Sequence, residues 1–427
     1  MAIEPRLPVD LPRVRLEMQP DPRDLPHLRG PTFPQLPFVV LVIADAIARP
    51  DPRAIEERHA MCVSGNGFDK AMAACRLSVE VALPLPGAPR VALRFHTLSD
   101  LKPRELAQQI AQLASVDVPA AEATLPAVFA DPRVATIERV WGGLRLLADY
   151  AGEHAEVELL NASVEDLDAD FDDAPALEKS GLWRIIHQYN HLGMRPVGVV
   201  VLADDLGAQA RRLRDISAIA RAGHLAVLAD AGSGASFRDA HAWRQTEDAR
   251  FVGLVRERGV VAPAHAHRPR VEVSGVFPAA ALLLQSHARA LSACYFAADD
   301  AVLPGVEIVA ATPPEAASGF VTLASGARAS RDETCHAGGD HSLATLMLGN
   351  RILHETLNVQ WRRGLGHETP IPELLAATNE GLARRLAKTG IEATVATAGA
   401  ELELSIRLPA GGATPILRRR LPLPKAW

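Results

Sequence analysis

Three continuous apolar runs, each closed by an aspartate, constrain this chain most. Phe38 to Ile43 leads into Ala44-Asp45, Val197 to Leu202 into Ala203-Asp204, and Leu225 to Ala229 into Asp230. A run that is apolar at every position, rather than every second one, fits a strand buried on both faces. That is the strand of a parallel sheet covered by helices. The helices are legible between the runs. Asp131-Pro132 joins a capping side chain to a first-turn proline. Val134, Ile137, Trp141, Leu144 and Ala148 then recur at helical spacing. Ser99 or Asp100 caps a second helix with Pro103 in its first turn and Leu106, Ile110 and Leu113 on one face. Shorter helices are expected over Phe68–Ala74, Leu182–Tyr189, Ala208–Ala222 and Pro372–Lys388. A long one carries Leu343, Leu346, Met347, Asn350, Leu353, Leu357 and Trp361 on one face. Val91–Phe95 and Val157–Leu160 read as further strands. The expected fold class is mixed α/β (α+β), built as two similar α/β halves sharing a composite core.

The two ends read differently. The first 37 residues hold nine prolines, which excludes a packed helical domain there. Within them Val14, Leu16 and Met18 alternate with Arg13, Arg15 and Glu17, a short period-two strand with no core of its own. Pro20, Pro22, Pro26, Pro31 and Pro34 follow as an extended tether. At the other end Leu402, Leu404, Ile406 and Leu408 alternate with Glu401, Glu403, Ser405 and Arg407, Gly411-Gly412 turns the chain, and Pro415 to Leu421 returns. A hairpin with one apolar face needs a partner sheet, as does the lone N-terminal strand. The resulting division is an arm over 1–35, a first α/β region over 36–115, an Ala- and Pro-bearing linker over 116–130, a second region over 131–390, and the hairpin over 391–427. Residues 255–340 carry mixed signals.

Composition removes several function classes. Lys plus Arg total 45 against 51 Asp plus Glu, a net charge of −6, so binding to nucleic acid through phosphate neutralisation is not expected. No apolar run reaches the length of a membrane span, and Met1–Asp10 lacks the layout of a signal peptide. Cys62, Cys75, Cys294 and Cys335 fall in no paired spacing, so neither a disulfide framework nor a zinc knuckle is expected, and the reducing cytosol is the default compartment.

Candidate chemistry is thin. Gly232-Ser233-Gly234 follows an apolar strand as in a phosphate loop, but Phe237 stands in the region of the third glycine and no Gly-Lys-Ser/Thr occurs. Cys335-His336 and Asp340-His341 offer metal-ligand types without a second, well-spaced pair. His354-Glu355 and the pair His265 and His267 lack any zinc-protease spacing, and no Gly-x-Ser-x-Gly elbow exists. Asp45, Asp204 and Asp230 sit where parallel sheets gather ligands, so an α/β enzyme using them and the Gly232–Gly234 turn is one reading; capping of the following loops is the simpler one. The segment Trp243–Leu254 is more distinctive. It sets Arg244, Glu247, Asp248 and Arg250 between Trp243 and Phe251. On a helix Arg244 meets Glu247 or Asp248, giving either a solvated charged face or a docking surface beside an aromatic anchor.

The order of these motifs resembles the two proteins of the type VI secretion contractile sheath, the small TssB-type and large TssC-type subunits, joined in one polypeptide. For the small subunit the residues are Arg13-Val-Arg-Leu16, Leu36-Pro-Phe-Val-Val-Leu-Val-Ile-Ala-Asp45, Glu57-Arg58, Asn66-Gly-Phe-Asp69, Leu93-Arg-Phe95, and Leu98-Ser-Asp100 with the Pro103 helix. For the large subunit they are Asp131-Pro132, Trp141-Gly-Gly-Leu144-Arg145, Leu159-Leu-Asn161, Leu182–Tyr189, Pro196-Val-Gly198 and, most distinctively, Trp243–Leu254 with Phe251 in place of a tyrosine. Arg351-Ile-Leu-His354 and the closing hairpin extend the likeness. The fusion, the short second half and the near absence of an extended segment before Asp131 depart from it.

The resemblance implies a structural, non-enzymatic, cofactor-free cytoplasmic protein. It implies a helical homo-polymer around an Hcp-type inner tube, baseplate proteins as neighbours, and recycling by a ClpV-type unfoldase where the large subunit's N-terminal segment is present. A baseplate or cap relative is the alternative role within the family. Intersubunit strand exchange is expected through Val14, Leu16 and Met18 at one end and Leu402, Leu404, Ile406 and Leu408 at the other. Docking is expected through Trp243, Arg244, Glu247, Asp248, Arg250 and Phe251.

Overall fold

A computed structural model describes residues 38–187, 197–232, 246–262, 268–290 and 370–386, apart from 154, 207–209 and 224. It also describes 243, 264, 303, 306–309, 321–323, 331–332, 392–399, 401–407 and 416–422. Strand β1 (Phe38–Ala44) is the first apolar run, buried at every position. After a short β2 (Met61–Cys62) come helix α1 (Phe68–Ala74), strands β3 (Leu77–Ala82) and β4 (Arg90–Phe95), and helices α2 (Pro103–Ala114), α3 (Val118–Phe129) and α4 (Pro132–Ala151). Next are β5 (Ala155–Asn161), α5 (Val164–Asp173), α6 (Gly181–His187), β6 (Val197–Asp205), α7 (Ala210–Ala222), β7 (Val227–Asp230) and β8 (Val252–Val255). The chain continues through β9 (Arg258–Ala262), β10 (Val271–Ser274), α8 (Val276–Ala290), β11 (Glu307–Val309), β12 (Val321–Thr322) and β13 (Arg331–Asp332). It ends in α9 (Ile371–Leu386), β14 (Glu392–Ala398), β15 (Glu401–Arg407) and β16 (Ile416–Pro422).

The mixed α/β class is as expected. Among the described residues the main sheet runs β13-β12-β8-β7-β6-β1-β5-β2. Its body is parallel, and the end strands β2 and β13 are antiparallel. Strand β1, from the N-terminal region, lies between β5 and β6, with Phe38–Ala44 in register against Ala155–Asn161 on one side and Val39–Ile43 against Val197–Leu202 on the other. The two halves therefore share one sheet as well as one core.

Several local expectations change. Residues 118–129, expected as linker, form α3: the Asp117 side chain accepts from Ala120 N–H, and Leu125, Val128 and Phe129 are buried despite the hydrogen bond lost at Pro126. Strand β3 alternates buried and exposed along its length and pairs with β4 as a separate hairpin. Helix α2 opens at Pro103 after Lys102; Asp100 instead closes a capping box with Thr97 on the 3-10 turn Leu98–Leu101. On α2, Leu106 and Ile110 are fully buried while Leu113 is 49% exposed. Val14–Met18 and the expected helix over 343–361 lie outside the described residues.

Helix α4 ties the halves together. Trp141 is fully buried, its Nε1–H donates to Ala46 O at 3.0 Å, and its ring meets Phe68 edge-on at 5.6 Å. Two glycines follow, the second for a steric reason: a Cβ on Gly143 would stand 2.4 Å from the ring of Phe277 on α8, so only glycine lets the two helices approach this closely. Trp141→Phe should keep most of the packing but strand the buried Ala46 carbonyl. The expected loss is about 1–3 kcal/mol of unfolding free energy, read from denaturant melts. An unchanged midpoint would show that water or another donor serves that carbonyl equally well.

Candidate assembly surfaces and the strand-end carboxylates

The strand-end aspartates do converge, because β1, β6 and β7 run parallel and end on the same side. Each is engaged. Asp204 Oδ2 accepts from Asp45 N–H at 3.0 Å. Asp230 accepts from Gly232 N–H at 2.8 Å and forms an ion pair with Arg258. Burial, with Asp45, Glu165 and Asp230 nearby, pushes the Asp204 carboxyl up to about 7 even though the Asp45 N–H bond works against the shift. Burial also raises Asp45. A cavity of about 530 Å³ borders Asp204, Asp205, Asp230, Arg258, Glu138 and Ser274. Gly232 has φ +66°, and a Cβ there would meet the Asp205 carboxylate at 1.9 Å. The turn is thus pressed against a carboxylate, which repels a phosphate. Asp230 caps the turn that follows its own strand, whereas Asp204 accepts from the end of β1. Among the described residues no group of three or more His, Cys, Asp or Glu is placed to hold a metal. Ser233, Gly234, His265, His267, Cys335, His336, Asp340, His341, His354 and Glu355 lie outside the described residues.

The join between the halves centres on Arg58, which is buried. Its guanidinium donates to Asn161 O at 3.0 Å and Asp166 Oδ2 at 2.6 Å from the second half, and to Asp51 O at 3.1 Å and Arg53 O at 2.8 Å from the first. Asn161 Oδ1 in turn accepts from Ala46 N–H at 3.0 Å. A planar guanidinium with five donors can serve all four of these acceptors at once, one more than the three donors of a lysine allow.

The C-terminal element is a three-stranded meander, β14-β15-β16, rather than a two-stranded hairpin. Leu402, Leu404 and Ile406 lie on its central strand, opposite Thr397, Val395 and Ala393 on one side and Leu421, Arg419 and Leu417 on the other. Ala393 and Val395 are buried. Leu408, Val14, Leu16 and Met18 fall outside the described residues. The outer side of β14 is clasped by α9: Val395 N–H donates to Asn379 Oδ1 at 2.7 Å, and Asn379 Nδ2 donates to Val395 O at 2.9 Å. The alternation in Glu392-Ala-Thr-Val-Ala-Thr-Ala398 is the signal that could have revealed β14. Nothing local marks Asn379 as its clasp.

The charged segment takes a different form from the expected helix. Trp243 is 3% exposed and Phe251 fully buried, so both aromatics face inward. Trp243 Nε1–H donates to Ser217 Oγ on α7 at 2.9 Å, and Ser217 donates to Leu213 O at 2.5 Å. Glu247–Phe251 is a 3-10 turn, and Asp248 pairs with Arg221 of α7 at 3.2 Å. Glu247 and Arg250 are placed in that turn by its backbone, and Arg244 is outside the described residues. Its aromatic residues and Asp248 anchor this segment to its own chain.

Two protein-family models match in succession. Residues 9–118 match the VipA family (Type VI secretion system, VipA, VC_A0107 or Hcp2), and residues 111–235 match the VipB family (EvpB/VC_A0108, tail sheath N-terminal domain). Both families are structural sheath components. The first match holds β1 and the second holds β5 and β6, the strands on either side of it. Residues 236–427, with Trp243–Leu254 and the terminal meander, lie outside both matched stretches. No curated protein matches. Among the described residues no helix is long and apolar enough to cross a membrane.

Proposed function

Taking the chain as a type VI secretion sheath component that carries both sheath-protein types in one polypeptide, we propose that it is the structural subunit of a contractile sheath. In this reading it polymerises in the cytoplasm around an Hcp-type inner tube and contracts to expel it. The observation that supports this most is the pair of sheath-family matches in one chain, with the strand of the first seated inside the sheet of the second. Contacts between copies are heterologous and non-closing, which builds a helical filament. Strands lent by the termini hold neighbours through backbone hydrogen bonds, with alternating side chains setting register. The proline tether keeps a lent strand engaged while the bodies rotate. Contraction is then a shift between two packed arrangements in which charged surfaces re-pair, Glu247 and Arg250 among them. Many subunits each release a small free energy, so the chain requires no nucleotide. Baseplate proteins are its neighbours at the sheath end, and a ClpV-type unfoldase is the candidate for disassembly.

Negative-stain electron microscopy of the purified chain, with and without an Hcp-type tube protein, tests this. The full chain is expected to form long tubes. Chains lacking residues 1–19 or 399–427 should remain folded by thermal melting yet form none. Glu247→Ala with Arg250→Ala should weaken assembly or contraction without changing helix content. Long tubes from the doubly truncated chain would remove strand exchange as the linkage. A full chain that caps tube ends and never extends would replace the sheath role with a baseplate or cap role.

A further inference from the structure

A sheet of only two strands has two edges, and each presents backbone groups that strands of other chains can pair with. Among the described residues, β3 and β4 form such a sheet. Their register runs without a shift from Leu77 opposite Phe95 to Ala82 opposite Arg90. The face carrying Val79 and Leu93 is buried, and the face carrying Glu80 and Arg94 is exposed.

Side chains hold backbone groups on both outer sides of this hairpin. Arg94 N–H donates to Gln109 Oε1 at 2.8 Å, and Gln109 Nε2 donates to Arg94 O at 3.0 Å. Both Arg94 groups therefore point away from β3, and Leu93 and Phe95 bond across to Val79 and Leu77. The next outward N–H, that of His96, donates to Asp100 Oδ2 at 2.7 Å. On the outer side of β3, the Glu80 carbonyl accepts from Arg133 Nη2 at 2.7 Å, and the same nitrogen is held by Asp131 Oδ2 at 2.9 Å. A glutamine amide offers a donor and an acceptor in one plane, the pair that a neighbouring strand's peptide groups would bring. Helix α2 aims that amide at β4, since Leu106 and Ile110 beside it are fully buried.

Resting on the reading that copies of this chain polymerise, we infer that Gln109 is a specificity-determining residue of the assembly. It occupies the β4 edge and keeps the hairpin out of pairings between copies; Arg133 does the same at β3. A chain that builds by contacts between copies needs its wrong sites blocked as well as its right ones made. Arg90 and Arg94, both exposed on β4, add charge to the guarded edge. Gln109 also ties α2 to β4, and the two roles differ in what its removal does. A lost tie lowers stability. A lost guard makes copies pair.

Gln109→Ala in the full-length chain tests this. Hydrogen exchange at the Arg94 amide should quicken by about tenfold or more, while the melt stays cooperative. The share of chain in irregular aggregates, read by light scattering and negative-stain microscopy, should rise severalfold over the parent. Gln109→Met keeps the length and helix propensity of the side chain without either hydrogen bond, and should behave as the alanine variant does. Adding Arg94→Pro to Gln109→Ala removes the N–H that Gln109 served, at a position an edge strand tolerates, and should return aggregation to the parent's level. Adding Arg94→Ala instead leaves that N–H in place and should not. Folded Gln109 variants that aggregate no more than the parent overturn the inference, as does equal rescue by alanine and proline. The readout needs no tube. A parent that never polymerises removes the sheath reading, whereas aggregation that appears with the Gln109 variants and is cured by Arg94→Pro still marks this amide as the guard of the edge.

Discussion

Divided at Ser115–Asp117, the chain is expected to give two pieces that do not fold separately and one stable particle when co-expressed. The cut falls in the short turn between α2 and α3, where Ser115 is already left-handed at φ 55°, so the break itself costs little. What separation removes is β1. Its six large apolar side chains, Phe38 through Ile43, are almost fully buried. At about 1.5–3 kcal/mol each, they contribute on the order of 10 kcal/mol, as much as the roughly 5–15 kcal/mol by which a whole domain is stable. Loss of β1 also leaves facing backbone groups of β5 and β6 unpaired, each costing about 1–3 kcal/mol where water cannot reach them. Arg58 would lose Asn161 O and Asp166, and Trp141 would lose Ala46 O. Size-exclusion chromatography and thermal melting of each piece, alone and together, give the answer. A cooperative melt from residues 1–115 alone would show that β1 finds its stability elsewhere.

Asp204→Asn is expected to stabilise the protein at pH 8 and to flatten its dependence on pH. The folded carboxyl titrates near 7, chiefly through burial, against about 4 for an unfolded aspartate. Between those values the folded chain holds a proton that the unfolded chain has released. The stability this group contributes is therefore fully present at acid pH, falls as pH rises from about 4 to 7, and is level beyond. Three units correspond to at most about 4 kcal/mol. Asparagine never ionises, and its carbonyl oxygen still accepts from Asp45 N–H, so the hydrogen bond survives the change. Denaturant melts at pH 4 and pH 8 should show the variant and the parent differing little at the lower value and clearly at the higher. Parallel pH profiles would mean that the charge on Asp204 is compensated within the fold.

The local elements were legible where a single segment carries its own instruction. Phe68–Ala74 is the expected helix residue for residue, and the apolar runs became β1, β6 and β7. The cap at Asp131 opens α4 as its proline requires. Strands β3 and β14 carry alternation that was there to be seen. Helix α3 was obscured because alanine and proline also compose linkers, and only its packing against α2 distinguishes the two.

Sequence alone thus determined the helix over Phe68–Ala74, the helix opened by Asp131 and the apolar runs that became β1, β6 and β7, since periodicity and capping act over a few residues. Tertiary structure decided that β1 enters the sheet between β5 and β6, that Trp243 and Phe251 turn inward, and that Asn379 occupies the edge of β14. Those outcomes depend on partners far away along the chain, and an aromatic or an amide carries the same local pattern whether it meets its own core, a neighbouring strand or water.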